Sequence, residues 1–316
     1  MATLGRPFAR LEKEKVDGVD GDLEAGWAPL HPGLSRTESD LRWGFVRKVY
    51  GILATQILLT TAVSAATVLH PSINSALAAS PGLALAFAIL PLVRKRDEEN
   101  GALKDSGRGK MKVEEGRCAK ATRVGSGGCI ILVLQVLYDG SVVDVDTLLL
   151  CYSSNGSFLL PLYHYRQRHP LNLAFLGLFT LCLSLSIGVA CANTEGKIVL
   201  EALILTSAVV SSLTGYTFWA SRKGKDFSYI GPFLFSGLII LLVTSTIQIF
   251  FPLGTTSSAI IGGFGALVFS GFIIYDTEEL IKRYTYDEYI WASVNLYLDI
   301  LNLFITILNM LKRSEN

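Results

Sequence analysis

Two aspartates stand within long apolar segments near the carboxy-terminal end of the chain. Asp276 lies near the end of the apolar stretch Ser257–Ile281, and Asp299 lies in the middle of Tyr289–Leu311. An ionised side chain in hydrocarbon costs several kcal/mol unless it is paired or solvated, so such an acid is a functional candidate by default. Glu201, near the start of an earlier apolar stretch, is the third candidate of this kind.

A stripe of polar residues accompanies Asp299. Its members recur at intervals of four, three, four and three residues, and they are Asn295, Asp299, Asn302, Thr306 and Asn309. This spacing places all of them on one face of a helix, opposite Tyr297, Phe304 and Leu311. Lipid cannot satisfy such a face, so it must face another helix or a water-filled cavity. The simpler interpretation is hydrogen bonding between helices, although that does not require a carboxylate at its centre.

The short connection Lys282–Glu288 predicts an antiparallel helical hairpin that brings Asp276 and Asp299 together. Ionising both of two carboxyl groups in contact costs free energy because it places two like charges side by side, so the two groups titrate as a unit. Such a pair can hold a proton, chelate a cation or accept an arginine, and it suits pH sensing and calcium entry. The structural alternative is a carboxylate–arginine clasp. Residue counting puts Asp299 deeper than Asp276, so we expect an irregular start to the last helix.

The apolar residues that must position these acids occur in blocks of about 20, the length that crosses roughly 30 Å of hydrocarbon. Hydrophobic residues make up 50% of the chain and the mean hydropathy is +0.43. We therefore predict an all-α polytopic membrane protein. Seven spans are expected: Tyr50–Leu69, Ala76–Val93, Leu171–Ala192, Ile198–Ala220, Tyr229–Phe251, Ser257–Ile281 and Tyr289–Leu311.

The charge and cysteine content exclude several other classes. A net charge of +1 provides no electrostatic basis for binding nucleic acid. Five cysteines without a Cys-x-x-Cys pair exclude a disulfide scaffold and a zinc ribbon, and the four histidines form no metal cluster. We expect no cofactor, and calcium only as a permeant ion that Asp276 and Asp299 could hold.

The lysines and arginines that flank the spans alternate in density, which places the amino terminus in the cytosol. Lys312 and Arg313 conflict with this pattern, so the last helix either crosses the membrane or re-enters it. Residues 1–45 begin with no apolar signal segment and mix acids and bases with Gly and Pro. We interpret them as a disordered cytosolic tail, or alternatively as a partner-binding arm.

Residues 94–158 interrupt the second predicted span and divide the membrane domain into 46–93 and 159–313. They are Gly-rich and basic, and their short apolar runs cannot span a bilayer. Without them, Ser80–Leu92 would join Leu159–Tyr165 into one segment of about 20 residues. We interpret them as an insertion, either an alternative or mis-predicted splice product or a genuine cytosolic loop.

Several motifs resemble those of the transmembrane Bax inhibitor motif family, and of its plant Lifeguard branch in particular. The most specific are Ile274–Thr277 and Leu296–Phe304, supported by Pro161–Pro170, Val199–Ala202 and Asp226–Leu234. The resemblance covers roughly residues 40–92 and 159–313. It implies a multi-pass protein of the endoplasmic reticulum, Golgi or vacuole that suppresses programmed cell death and conducts a pH-dependent calcium leak. It also implies a bundle of six helices around a central seventh.

The resemblance assigns roles to individual residues. It matches Asp276 and Asp299 to a di-aspartyl pH sensor and Arg166 to an arginine that latches onto that pair. Glu201 matches an acid on the fourth helix, and we add Asn295, Asn302 and Thr306 as accessory polar sites. The insertion departs from the family pattern, because it divides the very helix that carries Arg166.

Two rival functions follow from other interpretations of the same residues. Paired aspartates also activate water in intramembrane proteases. However, Asn295-Leu296-Tyr297-Leu298 precedes the second aspartate instead of Gly-x-Gly, and the chain contains no Pro-Ala-Leu, so we expect no enzymatic activity. The other rival is a non-conducting scaffold that binds cell-death regulators or lipid enzymes, which can coexist with a leak.

Overall fold

The computed structural model describes residues 29–30, 32, 35–69, 171–251 and 254–315. These residues form six α-helices and one 3-10 turn, Ser228–Ile230, and contain no strand. The helices are α1 (Arg36–Leu69), α2 (Leu171–Ala192), α3 (Gly196–Arg222), α4 (Gly231–Phe250), α5 (Thr255–Lys282) and α6 (Tyr289–Glu315). All six are long and apolar enough to cross a membrane, which confirms the prediction of an all-α membrane protein. The second predicted span, the insertion 94–158 and Arg166 lie outside the described residues.

The first helix begins earlier than predicted, at Arg36 instead of Tyr50. Residues 36–45 are therefore helical, which corrects the expectation that the disordered tail reaches residue 45. Ser35 and Glu38 form a capping box: the Glu38 amide donates to Ser35 Oγ at 3.3 Å, and the Ser35 amide donates to Glu38 Oε2 at 3.1 Å. At 1.5 Å per residue, α1 is about 50 Å long, so part of it extends beyond a hydrocarbon core of about 30 Å.

Helices α1 and α2 run parallel to each other. Gln56 Nε2 donates to Thr180 Oγ1 at 3.1 Å, and one turn further along both helices Ser184 Oγ donates to Thr60 Oγ1 at 3.2 Å. The short link 193–195 reverses the chain into α3. The end of α3 then returns to the end of α5, where the Phe227 amide donates to Glu278. We call the face of the bundle that carries residues 283–288 the hairpin-loop face.

The last helix is the most deeply buried of the six. Of its most apolar stretch, 78% is buried, against 17–50% for the other helices. It lies between two hydrophobic clusters, one shared with α1 and α2 and the other, through Leu303, with α4 and α5. Its 27 residues form one uninterrupted helix of about 40 Å, which is long enough to cross the hydrocarbon core.

Glycines on α5 permit α6 and α4 to approach it closely. A methyl group on Gly265 would lie 3.3 Å from Thr306 Cγ2 of α6, and one on Gly271 would lie 2.5 Å from Leu234 Cδ2 of α4. Helices that associate in lipid use small residues in this way, because van der Waals packing replaces the hydrophobic effect. The close packing of α5 on α6 brings the acidic side chains of the two helices together.

Candidate functional site

The side chains of Asp276 on α5 and Asp299 on α6 meet inside the bundle and are hydrogen-bonded to each other. Both residues are buried, with exposed fractions of 5% and 7%. A hydrogen bond between two carboxyl groups needs an O–H on one of them, because an ionised carboxylate only accepts. Among the described residues, no N–H or O–H group donates to Oδ2 of either aspartate. A shared proton therefore satisfies this arrangement, which we call the aspartate pair.

The two aspartates lie level without any irregularity in the last helix, which corrects that expectation. Asp276 stands six residues before the end of α5, about 9 Å along the axis, and Asp299 stands ten residues after the start of α6, about 15 Å. Helix α6 is regular from Tyr289 onward and must begin about 6 Å beyond the end of α5. Its first turn is covered by the early part of α1, where Lys48 Nζ lies 3.3 Å from the centre of the Tyr289 ring.

The polar stripe on α6 continues away from the pair. Asn302 and Thr306 are buried, and their side chains donate to backbone carbonyls of α6 itself, at Leu298 and Asn302. The Oδ1 atom of Asn302 accepts no hydrogen bond from the described residues. The stripe reaches a polar cavity of about 40 Å³ between α4, α5 and α6, where Thr306, Asn309 and Arg313 contribute to the lining. This volume is enough for a few water molecules.

Glu201 does not join the aspartate pair. Its side chain is 45% exposed, and its carboxylate lies 3.9 Å from Lys197 Nζ, one helical turn away. About 30 Å of α3 separate Glu201 from Arg222 at the hairpin-loop face, whereas Asp276 lies about 9 Å from the end of α5 at that face. Of the three candidate acids, Asp276 and Asp299 therefore meet in the structure, and Glu201 lies away from them.

Glu278 is a buried acid that the sequence analysis missed. Its carboxylate accepts the Phe227 amide at 3.0 and 2.9 Å and pairs with Lys282 Nζ at 2.6 Å, and the residue is only 3% exposed. Lys282 also donates to the Lys225 carbonyl at 2.5 Å. These contacts attach the α3–α4 connection to the end of α5. The detectable signal was a Glu–Lys pair at a spacing of four in the last turn of a helix.

The same connection contains an acid with a strongly perturbed titration. The Ser228 hydroxyl, and after it the Ser228 amide, donate to the Asp226 carboxylate and lower the pKa of Asp226 to about 2. Arg283 contacts the same Ser228 hydroxyl and pairs with Glu279 at 2.8 Å. The α3–α4 connection is therefore held to the hairpin-loop face by a network of charged and hydroxyl groups.

Tyr284, in the loop between α5 and α6, is the second residue that the sequence analysis missed. Its hydroxyl accepts a hydrogen bond from Asn295 Nδ2 at 2.9 Å, and its carbonyl accepts one from Arg42 Nη1 at 2.6 Å. Burial, and after it the nearby Asp276 carboxyl group, raises the pKa of the Tyr284 phenol well above its usual value. Tyr284 thus links α1, α6 and the surroundings of the aspartate pair.

The described residues contain no group of three or more His, Cys, Asp or Glu side chains arranged to hold a metal ion. Calcium takes six to eight oxygen ligands in stable protein sites. The two carboxyl groups supply fewer than that. The two carboxyl groups alone therefore do not make a stable calcium site.

Comparison with known proteins gives matches to a family model and to plant and viral relatives. The family model described as "Inhibitor of apoptosis-promoting Bax1" matches residues 124–316. The chain is 49% identical to the BI1-like protein of Arabidopsis thaliana over 314 residues, covering 98% of each chain. It is 41% identical to Protein LIFEGUARD 4 of Arabidopsis thaliana over 301 residues, covering 95% of this chain and 97% of the relative.

A viral relative is also similar to this chain, at a lower sequence identity. The "Golgi anti-apoptotic protein" of Vaccinia virus (strain Lister) is 34% identical over 275 residues, or 87% of each chain. The matched family model covers more than half of the chain, and the plant relatives align over nearly its full length. These matches show that the chain belongs to the Bax inhibitor family.

Proposed function

We propose that this protein suppresses programmed cell death from an endomembrane, through a calcium leak that the aspartate pair regulates in response to pH. Family membership and the anti-apoptotic name of the viral relative support the first part of this proposal. The name of that relative also supports a Golgi or related endomembrane location. The observation that carries the second part is the direct hydrogen bond between Asp276 and Asp299 inside membrane-crossing helices.

The chemistry of the aspartate pair connects protons with calcium. With one shared proton the pair carries a single negative charge, and full ionisation would bring two like charges into contact. A divalent cation balances two charges where one proton balances one, so protons and calcium compete for the same oxygens. A change in occupancy therefore alters the attraction between α5 and α6 and shifts the population of closed and open forms.

The path of the ion follows the polar stripe of α6. Asn302 and Thr306 continue from Asp299 toward the 40 Å³ cavity at the far end of the helix. Asn295 lies on the other side of Asp299, toward the hairpin-loop face. These side chains supply amide and hydroxyl oxygens, which are ligands that calcium accepts. The arginine latch assigned to Arg166 stays a prediction, because Arg166 lies outside the described residues.

We also propose that the membrane domain has seven spans, with α6 at its centre. Helices α1 and α2 are parallel and follow each other among the described helices, which supports the prediction of one further span between them in the sequence. An apolar cavity of about 520 Å³ separates α1 from α3 and is also lined by Phe304 of α6. The second predicted span would fill this cavity and complete the enclosure of α6.

The hairpin-loop face is the cytosolic face in this proposal. Arg222, Lys223 and Lys225 are exposed at the end of α3, and Lys282 and Arg283 close α5. Segments that remain in the cytosol carry an excess of lysine and arginine. The amino terminus of α1 lies on the same side, because Arg42 contacts Tyr284.

Calcium flux from liposomes, measured across a series of pH values, tests the central claim. The full-length protein should leak calcium at a rate that depends on pH, and Asp299→Asn should remove that dependence because the pair can no longer share a proton. Asp40→Asn, at an exposed position early in α1, is the matched control and should keep the wild-type profile. An unchanged pH profile for Asp299→Asn would refute the sensor role.

A cell-survival assay with the same variants separates the leak from the scaffold alternative. If the leak causes protection, neutralising both aspartates should abolish cell-death suppression while the protein still accumulates in the membrane. Full protection by the doubly neutralised variant would instead favour the non-conducting scaffold. Cleavage of a model membrane substrate that depends on both aspartates would favour the protease.

A further inference from the structure

The early part of α1 is attached to the loop between α5 and α6. Arg42 Nη1 donates to the Tyr284 carbonyl oxygen at 2.6 Å, across 242 positions of sequence. The guanidinium carbon of Arg42 also lies 5.1 Å from the centre of the Tyr286 ring and 5.8 Å from that of Phe45. The Phe45 and Tyr286 rings meet edge to face at 5.9 Å. Arg42 therefore lies against two aromatic rings while it donates to the backbone of the loop.

Tyr284 connects Arg42 with the surroundings of the aspartate pair. Its hydroxyl receives the hydrogen bond from Asn295 Nδ2 at 2.9 Å, and Asn295 lies one helical turn before Asp299. Its phenol also lies close enough to Asp276 to interact with it electrostatically. One loop residue thus contacts α1 through its backbone and α6 through its side chain, and it lies beside the acid of α5.

We propose that Arg42 is a positioning residue for the aspartate pair, which fixes the height of Asp299 against Asp276 by holding the α5–α6 loop at Tyr284. The geometry favours this role because α6 must begin about 6 Å beyond the end of α5 for the two acids to meet. The loop has hydrogen bonds of its own, and the charge-assisted hydrogen bond from Arg42 adds the contact that ties it to a third helix. The consequence for calcium flux rests on the function proposed above.

In this proposal Arg42 affects the aspartate pair by holding the α5–α6 loop in place, and not by a direct electrostatic effect of its charge. Besides Asp299, the titratable groups that interact with Asp276 are Glu279 and Tyr275 on α5 and Tyr284 in the loop. From α1, the phenol of Tyr50 reaches Thr277, the neighbour of Asp276. Among the groups of the described chain that act electrostatically on either aspartate, none is a lysine or an arginine.

The position of the first turns of α1 thereby affects the aspartate pair. In the proposed orientation these turns face the cytosol. Displacement of Arg42 would release Tyr284 and allow water to reach the pair. Water favours the ionised form of a carboxyl group, so the released pair should hold its proton less firmly.

Carbodiimide labelling of the full-length protein in liposomes measures the protonated pair directly, without relying on calcium flux. Dicyclohexylcarbodiimide modifies protonated carboxyl groups in apolar surroundings, and mass spectrometry quantifies the modification of Asp276 and Asp299 at each pH. Arg42→Gln should move the pH of half-labelling down by about half a unit or more, roughly a threefold change in proton affinity. Arg42→Lys retains a charged donor for the carbonyl and should stay closer to wild type than Arg42→Gln.

Two further variants make the result decisive. Tyr284→Phe removes the hydroxyl that Asn295 contacts and should move half-labelling in the same direction as Arg42→Gln, and it carries the test if Arg42→Gln does not fold. Lys223→Gln removes an exposed positive charge from the same face and should label like wild type. Wild-type labelling by both Arg42→Gln and Tyr284→Phe, or an equal shift from Lys223→Gln, would overturn the proposal. A wild-type protein that labels as expected but conducts no calcium would refute the proposed leak and leave the positioning role intact.

Discussion

The hydroxyl oxygens of Thr60 on α1 and Tyr297 on α6 lie 2.7 Å apart in the interior of the bundle. Tyr297 is fully buried, and Thr60 also belongs to a small hydrogen-bond network that includes Ser184 of α2. Tyr297 points away from the polar stripe, so α6 is bound to α1 and α2 on one side while its stripe faces the other. This contact couples the most buried helix to the parallel pair α1 and α2.

Removal of the Tyr297 hydroxyl should weaken the fold modestly. Tyr297→Phe keeps the ring and loses one buried hydrogen bond, and such bonds between membrane helices average about 0.6 kcal/mol. We expect a small fall in the thermal unfolding temperature of the detergent-solubilised protein. Tyr229→Phe, at a position that is 76% exposed, makes the same chemical change without a buried partner and should not alter that temperature. Equal stability of the two variants would contradict a structural role for the Thr60–Tyr297 contact.

Helices α1 and α2 approach each other closely at Gly188. A methyl group there would lie 2.8 Å from Thr67 Oγ1, 3.0 Å from Thr67 Cβ and 3.3 Å from the backbone of Ser64. A β-branched threonine is stiff, and a helix backbone cannot move aside alone. We expect Gly188→Ala to destabilise the protein by about 1–3 kcal/mol through overpacking.

Gly177 provides the matched control on the same helix. A methyl group added to Gly177 would meet no atom within 4 Å, so Gly177→Ala encounters no steric resistance. Alanine is the better helix former by up to about 1 kcal/mol, so this variant should be neutral or slightly more stable. Thermal unfolding of both variants in one detergent makes the comparison, and similar losses from both would argue against close α1–α2 packing.

The span of α2 and the meeting of Asp276 with Asp299 were predictable from sequence, because each depends on a local pattern. An apolar run of the correct length determines a membrane helix, and a short connection forces two helices into a hairpin. The position of Glu201 apart from the aspartate pair was not predictable, for a related reason. Hydropathy identifies a span but not the depth of each residue, and Glu201 is near enough to the helix end to remain half exposed beside Lys197.

The parts that sequence did not reveal depend on contacts between distant segments. The lateral pairing of α1 with α2 depends on Gln56, Thr60 and their partners, and nothing in either helix alone specifies it, whereas their parallel direction follows from the span predicted between them. The early start of α1 was in principle visible in the Ser35-x-x-Glu38 capping box, which precedes a segment too polar for a hydropathy window. Tyr284 was missed because its importance comes from Arg42, 242 positions earlier.

The buried ion pair at the end of α5 should be sensitive to the loss of one partner. Glu278 accepts hydrogen bonds from both the Phe227 amide and Lys282, so Glu278→Ala leaves a half-buried amide without an acceptor and a largely buried ammonium group with only the Lys225 carbonyl. Breaking a buried pair in this way costs about 3–5 kcal/mol. We expect a marked loss of thermal stability, and a smaller loss for Glu278→Gln, whose amide oxygen still accepts a hydrogen bond.

Glu195→Ala is the corresponding control for the buried acid. Glu195 is exposed at the start of α3, and its side chain makes no capping hydrogen bond, so its removal should change the unfolding temperature little. If Glu278→Ala unfolds at the same temperature as Glu195→Ala, the α3–α4 connection does not depend on the contacts of Glu278.

The lowered pKa of Asp226 predicts a specific pH dependence of the protein's stability. Its folded-state pKa is lowered from 3.8 to about 2 by the Ser228 hydroxyl and amide, so folding favours the ionised form. The contribution to stability is therefore complete above about pH 4 and is lost as the pH falls through about 2. Wild type should exceed Asp226→Asn in unfolding temperature by a constant margin at neutral pH, and that margin should shrink as the pH falls from 4 toward 2. Ser228→Ala removes the Ser228 hydroxyl, the stronger of the two donors to Asp226, and should reduce the pH-dependent part of this difference in unfolding temperature. A difference that stays the same down to pH 2 would show that the Asp226 charge does not stabilise the α3–α4 connection.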